Sequence, residues 1–198
     1  SLNMYEGLSA ANVDEDTDLI IWPENAAPVY VEQDYRWRRQ LQNFAERIEA
    51  SLITGGRFAV FNEDNSRTPY NAAFLINEQG NHKFKTYLKV YLVPFGERVP
   101  FQWILPILGR LNFGQAEFAP GEEIVVWPVP TNGDSIRVAP LICYEAIFPQ
   151  AGWKAAHKDA DLLVNLTNDT WFTGTGQQVQ HLLLSRMRSV ETGRSLAR

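Results

Sequence analysis

Val138-Ala139-Pro140-Leu141-Ile142-Cys143-Tyr144-Glu145 is an apolar run that carries a thiol near its end. The run reads as a buried strand, and residues 146–149 read as a turn into a helix. A cysteine at such a junction can stand at the C-terminal rim of a sheet, near a helix N-terminus that lowers its pKa. Cys143 is the only cysteine in 198 residues. A lone cysteine is more often a small buried hydrophobe, so the rest of the chain must decide its role.

Working outward, residues 136–142 pair naturally with 125–129 across Thr131-Asn132-Gly133-Asp134, because Asn-Gly is a strong hairpin signal. Residues 161–166 read as another buried strand. Residues 177–192 read as a helix with Val179, Leu183, Met187 and Val190 on one face, ended by Gly193. Toward the N-terminus, 18–22 is an apolar run stopped by Pro23. In 31–51 the spacing of Trp37, Leu41, Phe44 and Ile48 predicts an amphipathic helix. Residues 52–54 read as a strand ended by Gly55-Gly56, and 71–76 and 84–88 as two strands around a turn at 77–81. Residues 1–17 look like the tail of a helix leading to Asp18. Alternating strands and amphipathic helices point to a layered α/β domain. The segment 101–113 is strongly apolar but interrupted by Pro106 and Gly109. It reads equally as a core helix broken by proline or as a loop that touches lipid or covers a pocket.

The length suits one domain, and 45% hydrophobic with 21% charged residues describes an ordinary globular core. A net charge of −5 and a pI of about 5.2 argue against a general nucleic-acid binder. One cysteine excludes an internal disulfide. No run approaches the roughly 18 apolar residues of a membrane span, and no signal-peptide pattern is visible. His82, His157 and His181 lie far apart and, with one cysteine, give no metal-ligand spacing. No metal or cofactor is therefore expected. Asn165-Leu166-Thr167 and Asn168-Asp169-Thr170 match the glycosylation sequon, but both fall at the end of a predicted buried strand and read as chance matches.

Three segments place reactive groups just after apolar runs. Trp22-Pro23-Glu24 puts a carboxylate after a strand, although an isolated Glu is usually a solvated loop residue. Lys89 follows a strand and leads into Tyr91-Leu92-Val93-Pro94-Phe95-Gly96-Glu97; its ordinary reading is an exposed edge lysine. Cys143 is the third. A thiol nucleophile needs a base, which Glu24 could supply, and a cation or donors for the oxyanion, which Lys89 could supply. Glu97 could orient the lysine and balance its charge. A competing constellation joins Cys143 to His181 and Asp169 in the style of a cysteine protease. No second motif surrounds His181, which reads more readily as a structural or pocket-lining side chain.

Together, Trp22-Pro23-Glu24-Asn25-Ala26, Lys89 with Leu92-Val93-Pro94-Phe95-Gly96-Glu97, and Leu141-Ile142-Cys143-Tyr144-Glu145 resemble the nitrilase (carbon–nitrogen hydrolase) superfamily. They resemble its apolipoprotein N-acyltransferase branch in particular. Asn168-Asp169-Thr170-Trp171-Phe172, Gln180-His181 and Arg188-Ser189-Val190-Glu191-Thr192-Gly193-Arg194 extend the likeness over about 18–198. The resemblance implies a nitrilase-like α-β-β-α sandwich, incomplete at both ends. Residues 1–198 would form a catalytic domain, and the multi-helix membrane domain that precedes it in that branch is not in this sequence. It also implies transfer of a fatty acyl chain from a phospholipid, through a cysteine thioester, to the N-terminal amine of a diacylglyceryl-cysteine lipoprotein. On this chain Glu24 becomes the general base, Lys89 the oxyanion stabiliser and Cys143 the nucleophile, with Glu97 and Glu145 supporting. Trp171 matches an aromatic in a mobile loop near the site, and Tyr144 and Trp103 are assigned to substrate or lipid contact. The implied partners are a phospholipid donor, an apolipoprotein acceptor and a membrane surface. The implied location is the bacterial inner membrane, with the catalytic domain facing the periplasm. The alternative is a soluble nitrilase-type amidase using the same triad on a small amide or nitrile.

Overall fold

The computed structural model describes residues 2–77, 84–94, 96–97, 118–172 and 174–198. Two sheets are stacked face to face, with helices on each outer side. The first sheet contains β1 (Leu19–Ile21), β2 (Ala27–Tyr30), β3 (Ser51–Phe61), β4 (Arg67–Ile76) and β5 (Lys85–Leu88), in the order β1-β3-β4-β5 with β2 also on β3. The second contains β6 (Trp127–Thr131), β7 (Asp134–Ile142), β8 (Leu162–Leu166) and β9 (Ser195–Ala197), in that order. Helices α1 (Leu2–Ala10) and α2 (Tyr35–Ile48) belong to the first layer, and α3 (Pro149–His157) and α4 (Gln177–Thr192) to the last.

Side-chain alternation divides the core. On β4, Ala73 and Leu75 point to one face and share a buried cluster with Ile53, Tyr87, Val138, Leu141 and Val164, which draws on both faces of β7. Ala72, Phe74 and Ile76 point the other way and meet Trp22, Leu41 and Phe44. A strand buried on both faces needs apolar residues at consecutive positions, as the runs at 71–76 and 138–142 provide. Helix α2 starts where the Asp34 side chain accepts from the amides of Arg36 at 3.0 Å and Trp37 at 3.1 Å. Its buried residues Leu41, Phe44 and Ala45 lie on the expected face.

The hairpin forms across Asn132-Gly133: Thr131 faces Asp134, and Gly133 takes a φ of 101° that a side chain would resist. Prolines mark the limits of pairing. Pro128 and Pro130 lie on β6, which among the described residues pairs only with β7, and the β6–β7 ladder ends at Trp127↔Val138, two residues short of Pro140.

Two expectations change. The strand expected over 52–54 does not stop at Gly55-Gly56; β3 runs through both glycines to Phe61. Their role is close approach, since a Cβ on Gly55 would meet the Glu24 Cα at 2.8 Å and one on Gly56 the Ala27 carbonyl oxygen at 2.8 Å. The second concerns α4. Its bounds are as expected, but its apolar stripe faces outward: Val179, Leu183, Met187 and Val190 are exposed, while His181, Ser185 and Arg188 are buried. The segment 101–113, including Trp103, lies outside the described residues.

Candidate active site

The topology brings the three motifs to one rim. β1 and β3 are parallel, and two antiparallel steps through β4 return β5 to the same direction. Glu24 follows the C-terminal end of β1, and Lys89 follows that of β5. Cys143 follows β7, which runs parallel to β8. Strand exits are where a rigid scaffold can present reactive groups without exposing its core.

Local chemistry fixes each exit. Trp22 continues the ladder, donating its amide to the Ile53 carbonyl at 2.8 Å. Asn25 then takes a left-handed φ of 59°, and this turn fits only because Gly55 and Gly56 carry no side chain there. Lys89 is held by its own backbone, donating to Asn71 O at 2.9 Å and accepting from Gly121 N at 2.8 Å. A Cβ on Gly121 would lie 2.2 Å from the Leu88 carbonyl oxygen. Glu97 closes the loop after Lys89: its amide donates to Val93 O at 2.9 Å, while its carboxylate accepts from Val93 N at 2.9 Å.

These groups form one buried charge cluster. The Lys89 ammonium, 1% exposed, lies 2.9 Å from Glu97 and 3.6 Å from Glu24. Burial alone would drive Lys89 toward its neutral form; the negative charges of Glu24 and Glu97 more than offset it and hold its pKa above the usual lysine value. Asn71 bridges the two carboxylates, donating to Glu24 at 2.9 Å and to Glu97 at 2.7 Å. Sequence reasoning missed Asn71. Its signal was a lone amide at the head of an apolar strand, and a buried amide must find partners.

Cys143 opens a 3-10 turn, Cys143–Ile147, with a left-handed φ of 49°. That conformation disfavours any residue with a Cβ by about 1–2 kcal/mol and persists where neighbours over-determine it. Burial pushes its thiol up to about 11, and the negative charge of Glu24 pushes in the same direction, against the Lys89 charge and a hydrogen bond with Thr167. The expected lowering by a helix N-terminus is therefore not what dominates. A short 3-10 turn rather than an α-helix follows the cysteine, and desolvation outweighs it.

Glu145 does not face solvent. Fully buried, it accepts from Tyr87 Oη at 2.7 Å, Val90 N at 2.7 Å, Tyr91 N at 3.1 Å and Ile142 N at 2.7 Å. It thereby ties the cysteine turn on the second sheet to the Lys89 loop on the first. Burial pushes its carboxyl up, against the bonds from Ile142 and Tyr87 and the charge of Lys89. Tyr144, beside it, meets Phe148 edge-on with centroids 5.2 Å apart. Trp171 falls in a 3-10 turn, Asp169–Phe172; its side chain lies outside the described part.

Cys143, Asp169 and His181 also come together, with one potential donor atom from each within 4.8 Å of the others. These are the three residues of the competing constellation that the sequence offered, and the fold does bring them together. The arrangement is not that of a protease base, because His181 Nε2 lies 3.1 Å from the Cys143 backbone oxygen. A carbonyl only accepts, so Nε2 carries a proton and cannot receive the thiol's. The other nitrogen and the Asp169 carboxylate are engaged with each other and with Arg198.

The family model for carbon–nitrogen hydrolases matches residues 2–196. Among curated proteins, the chain is 36% identical over 192 residues to an apolipoprotein N-acyltransferase of Bdellovibrio bacteriovorus, covering 92% of this chain and 34% of that protein. It is 34% identical over 197 residues to the protein of that name in Geobacter metallireducens, covering 98% and 36%. The chain thus spans about a third of the length of these relatives. Among solved structures it is similar to an amidase from Nesterenkonia sp., with a TM-score of 0.64 at 22% identity, covering 99% of this chain and 67% of that one. It is also similar to Nit3 of Saccharomyces cerevisiae, a member of the nitrilase superfamily, with a TM-score of 0.65 at 21% identity, covering 98% and 65%. The chain belongs to the carbon–nitrogen hydrolase family.

Proposed function

We propose that this chain carries the catalytic centre of an N-acyltransferase that loads a fatty acyl group onto Cys143 and passes it to an amine. The observation that supports this most is the convergence of Glu24, Lys89 and Cys143 at one rim, with a neutral thiol beside a carboxylate. At a pKa of about 11 the thiol holds its proton near neutral pH, so attack requires a base at the moment of reaction. Glu24 is that base. As Cys143 Sγ bonds to the ester carbonyl carbon of a phospholipid, its proton passes to Glu24. Lys89 stands by the negative charge that develops on the carbonyl oxygen. The carbon–oxygen bond to the glycerol breaks, and Glu24 returns the proton to the leaving lysophospholipid. In the second half, an amine attacks the thioester, Glu24 takes its proton, the carbon–sulfur bond breaks, and the thiol is regenerated with an amide as product.

The choice of acyl donor and acceptor rests on the relatives named apolipoprotein N-acyltransferase. It gives a phospholipid donor, the N-terminal amine of a diacylglyceryl-cysteine lipoprotein as acceptor, and a site of action at the outer face of a bacterial inner membrane. Among the described residues no helix is long and apolar enough to cross a membrane. In this reading Glu97, Asn71 and Glu145 hold the reacting groups in place, and Tyr144, Trp171 and Trp103 serve substrate or lipid contact. The amidase reading shares the triad, but the amidase structures lie at 21–23% identity and speak for the fold alone.

The test is acyl transfer by the full protein with Cys143 replaced. Cys143→Ala is expected to abolish transfer while Cys143→Ser still folds. Transfer retained in the alanine variant would remove Cys143 as the nucleophile.

A further inference from the structure

We infer that Asn165 and His181 are positioning residues for Cys143, jointly gripping its carbonyl oxygen and thereby fixing the left-handed backbone that aims its thiol. The inference rests on Cys143 being the nucleophile.

The two grips come from different elements. Asn165, on β8, donates through Nδ2 to Cys143 O at 3.1 Å and to Leu141 O at 3.1 Å. One amide thus ties down the strand end and the first residue of the turn. His181, on α4, reaches the same Cys143 oxygen through Nε2 at 3.1 Å. Both side chains are buried. A carbonyl with two side-chain donors, on a residue with a φ of 49°, is an over-determined backbone position.

The surroundings of His181 keep that donor in place in either charge state. Its Nδ1 lies 2.9 Å from Asp169 Oδ1 and 3.1 Å from Arg198 Nη2. A protonated Nδ1 donates to Asp169; an unprotonated one accepts from Arg198. Either way the proton on Nε2 stays directed at the Cys143 carbonyl. Asp169 is itself fixed by Thr167 Oγ1 at 3.0 Å and by Arg198. Ser185, on the same helix, donates to the His181 backbone carbonyl at 2.7 Å and accepts from Arg198 at 3.2 Å, which helps hold that guanidinium beside the imidazole.

This also accounts for the inverted polarity of α4. About two helical turns beyond His181, Arg188 donates to the carbonyls of Ala146 and Ile147. Its other nitrogens are paired with Glu191 at 2.7 and 2.9 Å. Gly152 leaves room for it, since a Cβ there would lie 3.1 Å from Arg188 Cδ. The inward face of α4 is therefore polar because it holds three carbonyls of the nucleophile turn, at Cys143, Ala146 and Ile147.

The test compares His181→Gln, which keeps a donor at a similar reach, with His181→Met, which keeps length without a donor. Two rates are measured on the full protein: formation of an acyl-enzyme from p-nitrophenyl butyrate, and alkylation of Cys143 by iodoacetamide, each read by intact mass. The methionine variant should form the acyl-enzyme slower by on the order of tenfold, with alkylation less affected, and the glutamine variant should recover most of the loss. Asn165→Leu should behave like the methionine variant. Equal acylation by the glutamine and methionine variants overturns the inference, and so does equal loss of folding by both, which would make the contact merely structural. Failure of the unsubstituted protein to acylate at Cys143 would instead overturn the nucleophile reading beneath it.

Discussion

A thiol held at a pKa of about 11 by burial and by a carboxylate ties reactivity to that carboxylate in two opposing ways. Glu24 suppresses the resting thiolate by charge, and in the proposed reaction it is also the group that takes the proton during attack. The two roles separate in Glu24→Gln. Removing the negative charge removes the second-largest cause of the raised pKa, so the midpoint of Cys143 alkylation by iodoacetamide should move to lower pH. Acyl-enzyme formation at neutral pH should nevertheless slow, by about 10²–10⁴-fold for loss of a general base. A midpoint that stays or rises, or acylation at the normal rate, would remove Glu24 from this position. Lys89 makes a complementary case. With its ammonium buried between Glu24 and Glu97, Lys89→Met leaves two carboxylates without their cation and should destabilise the fold by about 3–5 kcal/mol, read by chemical denaturation. An unchanged midpoint would show that the cluster is hydrated and that its charges are not confined as described.

At the level of elements, the apolar runs at 71–76 and 138–142 and the Asn132-Gly133 turn were legible because strand burial and hairpin geometry act locally. The glycine pair at 55–56 was not, because its partner is the Glu24 turn thirty residues away, and local reading sees only two flexible residues. Helix α4 shows the same limit from the other side. Its period was readable, but which face turns inward depends on the carbonyls of a turn that no local pattern reveals. A pair of substitutions on that helix separates the faces. Val190→Ser, on the outer face at 75% exposure, should change stability by no more than about 0.5 kcal/mol. Arg188→Ala should lose more, about 1–3 kcal/mol, by leaving the buried carbonyls of Ala146 and Ile147 without their donor, seen as a lower unfolding midpoint. The opposite ranking would mean that the apolar stripe faces the core. Gly121→Ala should likewise disturb the fold around Lys89, since its Cβ has no space beside the Leu88 carbonyl.

For the molecule as a whole, the stacked sheets do what neither could do alone. Glu24, Lys89 and Glu97 belong to loops of the first sheet, Cys143 to the second, and Glu145 bonds across to the Tyr87–Tyr91 segment. The motif residues could be picked out from their places at strand exits. Asn71 and Asn165 could not, because their meaning depends on partners brought near only when the sheets assemble. The central claim is that Cys143 carries a fatty acyl group. It is tested most directly by the intact mass of the full protein after incubation with phospholipid vesicles, followed by a diacylglyceryl-cysteine peptide. The account predicts a fatty-acyl increment on Cys143 that the peptide's amine removes. No increment on Cys143, or one that persists in Cys143→Ala, would contradict it.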